Sequence, residues 1–194
     1  MKANVKKSLV SMTQLAMLAA VAVVLMAFVR IPIVPAAPFL EYDMADAPIL
    51  IAALMFGPGP SLLILLIISI IQAFLFGGNG WVGLVMHFAA SGALVALVGF
   101  FYQHRHKFFD AVLGMILGTL AMTAIMIPMN YIFTVHFFGT PKSVVDALIL
   151  PGIVPFNLIK AGLNSAISGV LWKALMPFLQ NSGLYRTNTE REVL

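Results

Sequence analysis

The sequence contains no cysteine, and only 9% of its 194 residues are charged. Disulfide bonds, thiolate catalysis and Cys-ligated metal sites are therefore excluded. The chain also lacks the Gly-x-x-x-x-Gly-Lys-Ser/Thr motif of ATPases, the His-Glu-x-x-His motif of metalloproteases and the Gly-x-Ser-x-Gly motif of serine hydrolases. We expect no enzymatic activity and no ATP hydrolysis by this chain.

Charge is missing altogether from residues 47–104, which contain no Asp, Glu, Lys or Arg. A secondary transporter usually carries an ionisable side chain within the membrane to couple transport to an ion gradient. If the chain takes part in active transport, we expect partner subunits to supply the energy.

The chain is instead rich in apolar residues, with 61% hydrophobic residues and a mean hydropathy of +1.03. A soluble domain of this length could not bury so much apolar surface, so the composition indicates an integral membrane protein. Apolar runs and Pro/Gly boundaries predict an all-α bundle of six transmembrane helices, at about residues 9–29, 46–56, 61–76, 81–103, 110–134 and 155–178.

Residues 1–180 are predicted to form one domain and residues 181–194 a flexible tail. The connection at residues 31–45 is predicted to be an irregular loop, and residues 136–154 are predicted to form a long polar connection marked by Pro and Gly. Basic residues concentrate on the side of the chain ends, which predicts cytoplasmic N- and C-termini.

A polar stripe crosses the last apolar segment, where Asn157, Lys160 and Asn164 follow helical spacing. A lysine in hydrocarbon costs roughly 2.5–3.5 kcal/mol, so it turns toward the protein interior or extends to the membrane surface. Lys160 lies only about 9 Å along its helix from the outer end, and Asn130 lies near the outer end of the preceding helix, at the same level. Together these groups suit a neutral, heteroaromatic, hydroxyl-bearing ligand. The alternative for Asn130 is an interhelical hydrogen bond.

The loop after the first helix is acidic, with Glu41, Asp43 and Asp46. Their spacing does not match a calcium-binding loop, so we favour loop anchoring, with Asp46 as the N-cap of the second helix. The four histidines have no metal-ligand spacing, and no metal site is expected. Trp81 suits a membrane-interface anchor, although its position also allows stacking on a ligand.

Small residues four apart occur at Ala16 and Ala20 in the first helix and at Gly114 and Gly118 in the fifth. Such pairs let another helix approach closely. Packing within the bundle and docking of a partner protein are both open from the pattern alone.

Three segments resemble the substrate-binding S components of energy-coupling factor (ECF) vitamin transporters, of the riboflavin-specific type. They are residues 39–48 (Phe-Leu-Glu-Tyr-Asp-Met-Ala-Asp-Ala-Pro), the Asn-Tyr pair at 130–131, and residues 155–160 (Pro-Phe-Asn-Leu-Ile-Lys). The resemblance covers essentially the whole chain. It implies a multi-pass protein of a prokaryotic cell membrane that binds riboflavin for uptake and uses no cofactor.

The resemblance also implies roles for individual residues. Asn130, Asn157 and Lys160 would hold the polar edge or ribityl chain of the flavin, and the loop after the first helix would cover the site. We include Leu40, Glu41, Tyr42, Asp43, Trp81 and Asn164 among the expected substrate-binding residues. Ala16 and Ala20 would dock on a transmembrane coupling subunit that carries two ATPases. The alternatives are another vitamin, such as biotin, thiamine or pantothenate, or a ligand-free membrane scaffold.

Overall fold

The computed structural model describes residues 2–182 and 185, without the side chains of residues 2–8. The predicted tail therefore falls almost entirely outside the described residues. The described part is mainly α-helical, as predicted, and also contains one short strand pair and two π-helical segments. Its helices are α1 (Lys2–Phe28), α2 (Asp46–Phe56), α3 (Pro58–Leu75), α4 (Gly80–Arg105), α5 (Phe108–Met129), α6 (Lys142–Leu148) and α7 (Val154–Asn181).

Five segments are long and apolar enough to cross a membrane, namely Leu9–Phe28, Pro58–Leu75, Gly80–Arg105, Phe108–Val135 and Lys142–Asn181. The remaining apolar helix, α2, has only 11 residues, as the sequence predicted. It lies at the centre of the bundle, in contact with α1, α3, α4 and α7. Its residues 46–55 are all buried and, apart from Asp46, apolar, so α2 is surrounded by other parts of the protein.

Close packing of α4 on α5 depends on the two glycines of α5. A Cβ atom at Gly118 would lie 3.0 Å from Leu94 Cα, and one at Gly114 would lie 2.9 Å from Val98 Cα. The small-residue pair in α5 therefore packs inside the bundle. Ala16 and Ala20 differ, because both are exposed on α1.

The segment Phe108–Val135 changes geometry after Pro128, a residue type that predicts a kink inside a helix. Its last turns, Asn130–Val135, form a π-helix. A proline removes one backbone donor and crowds the preceding turn, which accounts for the break at this position.

Both long connections contain regular structure, although the one at residues 31–45 was expected to be irregular. Residues 136–154 include α6 and a second π-helical segment, Ile149–Ile153. In the loop after α1, strand β1 (Ile31–Pro32) pairs antiparallel with β2 (Glu41–Tyr42). Two-residue strands give too short an alternation to be seen in a sequence.

Candidate ligand-binding site

A cavity of about 190 Å³ lies between α3, α4, α5 and α7, beneath the loop at residues 31–45. Its wall combines apolar side chains with a few polar groups, the composition typical of small-molecule sites. The residues around it are Leu40, Ser69, Gln72, Ala73, Gly78, Asn79, Gly83, Met86, His87, Met122, Met126, Phe156, Asn157 and Lys160.

Lys160 forms a buried ion pair with Asp43 of the loop. Its Nζ donates to Asp43 Oδ2 at 2.7 Å, and the two side chains are 7% and 3% exposed. Asp43 also accepts hydrogen bonds from Gln72 Nε2 at 3.3 Å and from the backbone N–H of Ala45 at 3.0 Å. Lys160 therefore does not extend to the membrane surface, and its charge is balanced before any ligand arrives.

Asn164 supports this pair from one turn further along α7. Its Nδ2 donates to the backbone carbonyls of Asp43 and Lys160, both at 3.1 Å. The side chain is fully buried and is not part of the cavity wall. Asn164 thus joins the loop to α7.

The other two predicted amides both bond to backbone carbonyls one turn earlier. Asn157 Nδ2 donates to Ile153 O, and Asn130 Nδ2 donates to Met126 O, each at 2.8 Å. Asn157 lies in the cavity wall together with Lys160. Asn130 is not in the wall, although the side chain of Met126 is.

A second polar cluster lies beside the cavity and contains Asp46. Ser91 Oγ donates to Asp46 Oδ2 at 3.0 Å, and His87 Nε2 lies 3.5 Å from Asp46 Oδ1. His87 Nδ1 is 3.0 Å from Ser69 Oγ. The prediction of Asp46 as an N-cap is wrong: Ala45 precedes α2 without a side-chain cap, and the carboxylate turns inward to these partners.

The remaining loop residues have separate surroundings. Leu40 reaches the cavity, whereas Glu41 pairs with Arg30 at 3.3 Å on the surface. Tyr42 is buried against Val34 and Phe156. Burial, with Asp43 nearby, raises the pKa of the Tyr42 hydroxyl, so this group remains protonated.

Trp81 lies outside the cavity wall, half-exposed in an aromatic cluster. Its ring is 4.9 Å from that of Phe137 and 6.0 Å from that of Phe133, both in edge-to-face geometry. These contacts join the start of α4 to the end of the segment Phe108–Val135 and the residues just after it. No group of three His, Asp or Glu side chains in the described residues is arranged to hold a metal ion.

Comparison with known proteins identifies the family. A sequence model of the substrate-specific component of ECF transporters matches residues 10–172. The chain belongs to this family. The members of this family are transporter components.

Related proteins and a solved structure agree with this assignment over most of the S component. The Streptococcus thermophilus protein named riboflavin transporter RibU is 30% identical over 179 residues, which cover 85% of this chain and 82% of the relative. The Staphylococcus aureus protein of the same name is 28% identical, covering 86% and 90%. A solved S component of a bacterial ECF transporter superimposes with a TM-score of 0.73 at 28% identity, covering 87% of this chain and 96% of the other.

Sequence reasoning missed several residues that line the cavity of this S component, above all Ser69, Gln72 and His87. A signal for two of them exists, because Ser69 and Gln72 stand three apart in α3, whose remaining polar side chain, Ser61, lies in its first turn. Such a pair lies on one face of a helix and indicates a polar environment there. For His87, only the fold provides the two partners, Asp46 and Ser69.

Proposed function

We propose that this S component captures riboflavin in the cavity beneath the 31–45 loop, for uptake across a prokaryotic cell membrane. The observation that supports this most is the meeting of Leu40 from the loop with Asn157 and Lys160 of α7 around one cavity. The names of both relatives described above point to the same vitamin.

The cavity wall offers what a flavin requires. Leu40, Met122, Met126 and Phe156 supply apolar surface for a flat ring system. Asn157 uses Nδ2 on Ile153 O, so its Oδ1 and second amide hydrogen are available for a heteroaromatic edge. Gln72 and Ser69 supply further groups for hydroxyls.

The cavity must enlarge to hold such a ligand. Its volume of about 190 Å³ is below the roughly 300–1,000 Å³ of typical ligand pockets. The loop at residues 31–45 is the element that covers it, and we propose that this loop moves outward when riboflavin enters. The movement would be confined to the part of the loop around Leu40, because the contacts of Asp43 with Lys160, Gln72 and Asn164 hold its other end on the bundle.

The charge balance disfavours the acidic vitamins biotin and pantothenate. Lys160 is the one cationic side chain in the wall within the described residues, and Asp43 already neutralises it. A ligand carboxylate would have to displace Asp43 or remain uncompensated in an apolar site, which is costly.

For energy, we propose that the S component associates with an ECF module made of a transmembrane coupling subunit and two ATPases. The exposed Ala16 and Ala20 of α1 would form the docking face. Counting the short α2 as a crossing gives six spans, with both termini in the cytoplasm.

The function is tested by titrating purified protein with riboflavin and following the quenching of flavin fluorescence. We expect saturable binding that excess thiamine, biotin or pantothenate does not displace. Asn157→Leu should weaken binding, whereas Asn181→Leu, at an exposed position of α7, should not. Binding of another vitamin without riboflavin would reassign the substrate, and no binding of any of the four would favour a scaffold.

A further inference from the structure

A second cavity, of about 450 Å³, opens on the outer surface of the bundle between α5 and α7. Met115, Thr119 and Leu120 of α5 form one wall, and Gly162, Ala166 and Gly169 of α7 form the other. A Cβ atom at Gly162 would meet nothing within 4 Å, so the missing side chain leaves open space at this point. The surface is a groove bordered by small residues and is separate from the site described above.

The length of the groove matches one leaflet of a membrane. On α5 it extends from Phe108 to Leu120, which is about 18 Å at 1.5 Å per residue. Half of the hydrocarbon thickness of a bilayer is about 15 Å. A partner helix would be expected to cover the full span, whereas a lipid acyl chain ends near the bilayer midplane.

The end of the groove at Phe108 is positively charged. Lys173 Nζ lies 5.9 Å from the centre of the Phe108 ring, and Arg105 and Lys107 precede this residue as exposed side chains. The acidic residue nearby in the chain, Asp110, is buried in the first turn of α5. A lipid acyl chain in the groove would therefore bring its headgroup to a cluster of cations, as in other basic lipid sites between transmembrane helices.

We propose that this groove binds an anionic phospholipid, with one acyl chain between α5 and α7 and the phosphate beside Lys173. The groove lies away from Ala16 and Ala20, which belong to α1, a helix that packs on α2 and α3. The lipid can therefore remain bound when a partner docks on α1.

The proposal is tested by native mass spectrometry of the delipidated, purified chain with dioleoyl phosphatidylglycerol or dioleoyl phosphatidylcholine. We expect a retained phosphatidylglycerol adduct and about fivefold weaker binding of phosphatidylcholine, whose choline cation offsets its phosphate; this ratio is that of one lysine beside a net anionic headgroup. Lys173→Gln should reduce this preference, and Lys142→Gln, at the start of α6 and outside the groove, should preserve it.

Ala166→Leu should reduce binding of both lipids by filling the groove. Ala174→Leu, at an exposed position of the same helix outside the groove, is the matched control. Circular dichroism and gel filtration verify that each variant is folded. Equal binding of the two lipids, or undiminished binding by folded Ala166→Leu, would overturn the proposal. The proposal would also be overturned if gel filtration showed a dimer that Ala166→Leu disrupts, because the groove would then be an interface between two copies of the chain.

Discussion

Lys160 and Asp43 are 117 residues apart in the sequence, and their charged atoms lie 2.7 Å apart in the interior of the protein. Removing one member leaves the other as an uncompensated buried charge, which costs about 3–5 kcal/mol. We expect Lys160→Met and Asp43→Asn each to lower the melting temperature in detergent strongly, and the double variant to recover much of the loss. Lys142→Met, which breaks an exposed pair with Asp146, should leave the melting temperature nearly unchanged. Equal changes in melting temperature for Lys160→Met and Lys142→Met would contradict the stabilising role of the buried ion pair.

The neutralised lysine also predicts selectivity against phosphorylated flavin. The phosphate of flavin mononucleotide would enter a wall whose one described cation already has a carboxylate partner. We expect its dissociation constant to exceed that of riboflavin by at least about tenfold, or 1.4 kcal/mol. Competition titrations at fixed ionic strength measure the ratio. Asp43→Asn should reduce the ratio of the two dissociation constants, because the Lys160 charge becomes available to the phosphate. An unchanged ratio in this variant would show that the neutralised Lys160 is not the source of the selectivity.

Asp46 is expected to orient His87 at the cavity. Ser69 Oγ is hydrogen-bonded to Nδ1 at 3.0 Å, and the Asp46 carboxylate lies 3.5 Å from Nε2, close enough for its charge to act on the ring. Asp46→Asn should weaken riboflavin binding by up to about tenfold, since the imidazole loses the partner that fixes its orientation. Ser91→Ala removes the other contact of Asp46 and should have a smaller effect. Similar losses in the two variants would indicate a general packing defect instead.

Gly118 should be much less tolerant of alanine than Gly162. A Cβ atom at Gly118 would lie 2.6 Å from Leu94 Cδ1 and 3.0 Å from its Cα, so α4 and α5 would have to separate. We expect Gly118→Ala to lower the melting temperature. Gly162→Ala should maintain or raise it, because the site is open and alanine favours helix by up to about 1 kcal/mol. The reverse order would show that the α4–α5 contact is looser than described.

Docking through α1 predicts a separation of transport from binding. Bulky substitutions at the exposed Ala16 or Ala20, such as Ala16→Phe, should abolish riboflavin uptake in cells that contain an ECF module, with the riboflavin affinity of the purified protein unchanged. Ala174→Leu on α7 is the control for added bulk on an exposed face. Loss of binding together with uptake would indicate misfolding, and normal uptake would remove these alanines from the docking face.

Much of the site was foreseeable because polar residues are rare in this chain. Asn157 and Lys160 stand out in an apolar helix, and both lie at the cavity. Asp43 was expected to anchor the loop or contact substrate, but the sequence did not indicate that it pairs with Lys160. Asp46 was assigned to a cap from its position before an apolar run, and its partners Ser91 and His87 come from another helix.

The sequence by itself determined the class of protein and the positions of its long helices. Each apolar run must satisfy its own backbone hydrogen bonds in the membrane, and prolines and glycines mark where the runs stop. Only the tertiary structure decided which polar groups meet, since contacts between distant segments depend on how the helices pack. That packing placed Asp43 on Lys160, Asp46 beside His87, and the unpredicted Ser69 and Gln72 around the cavity.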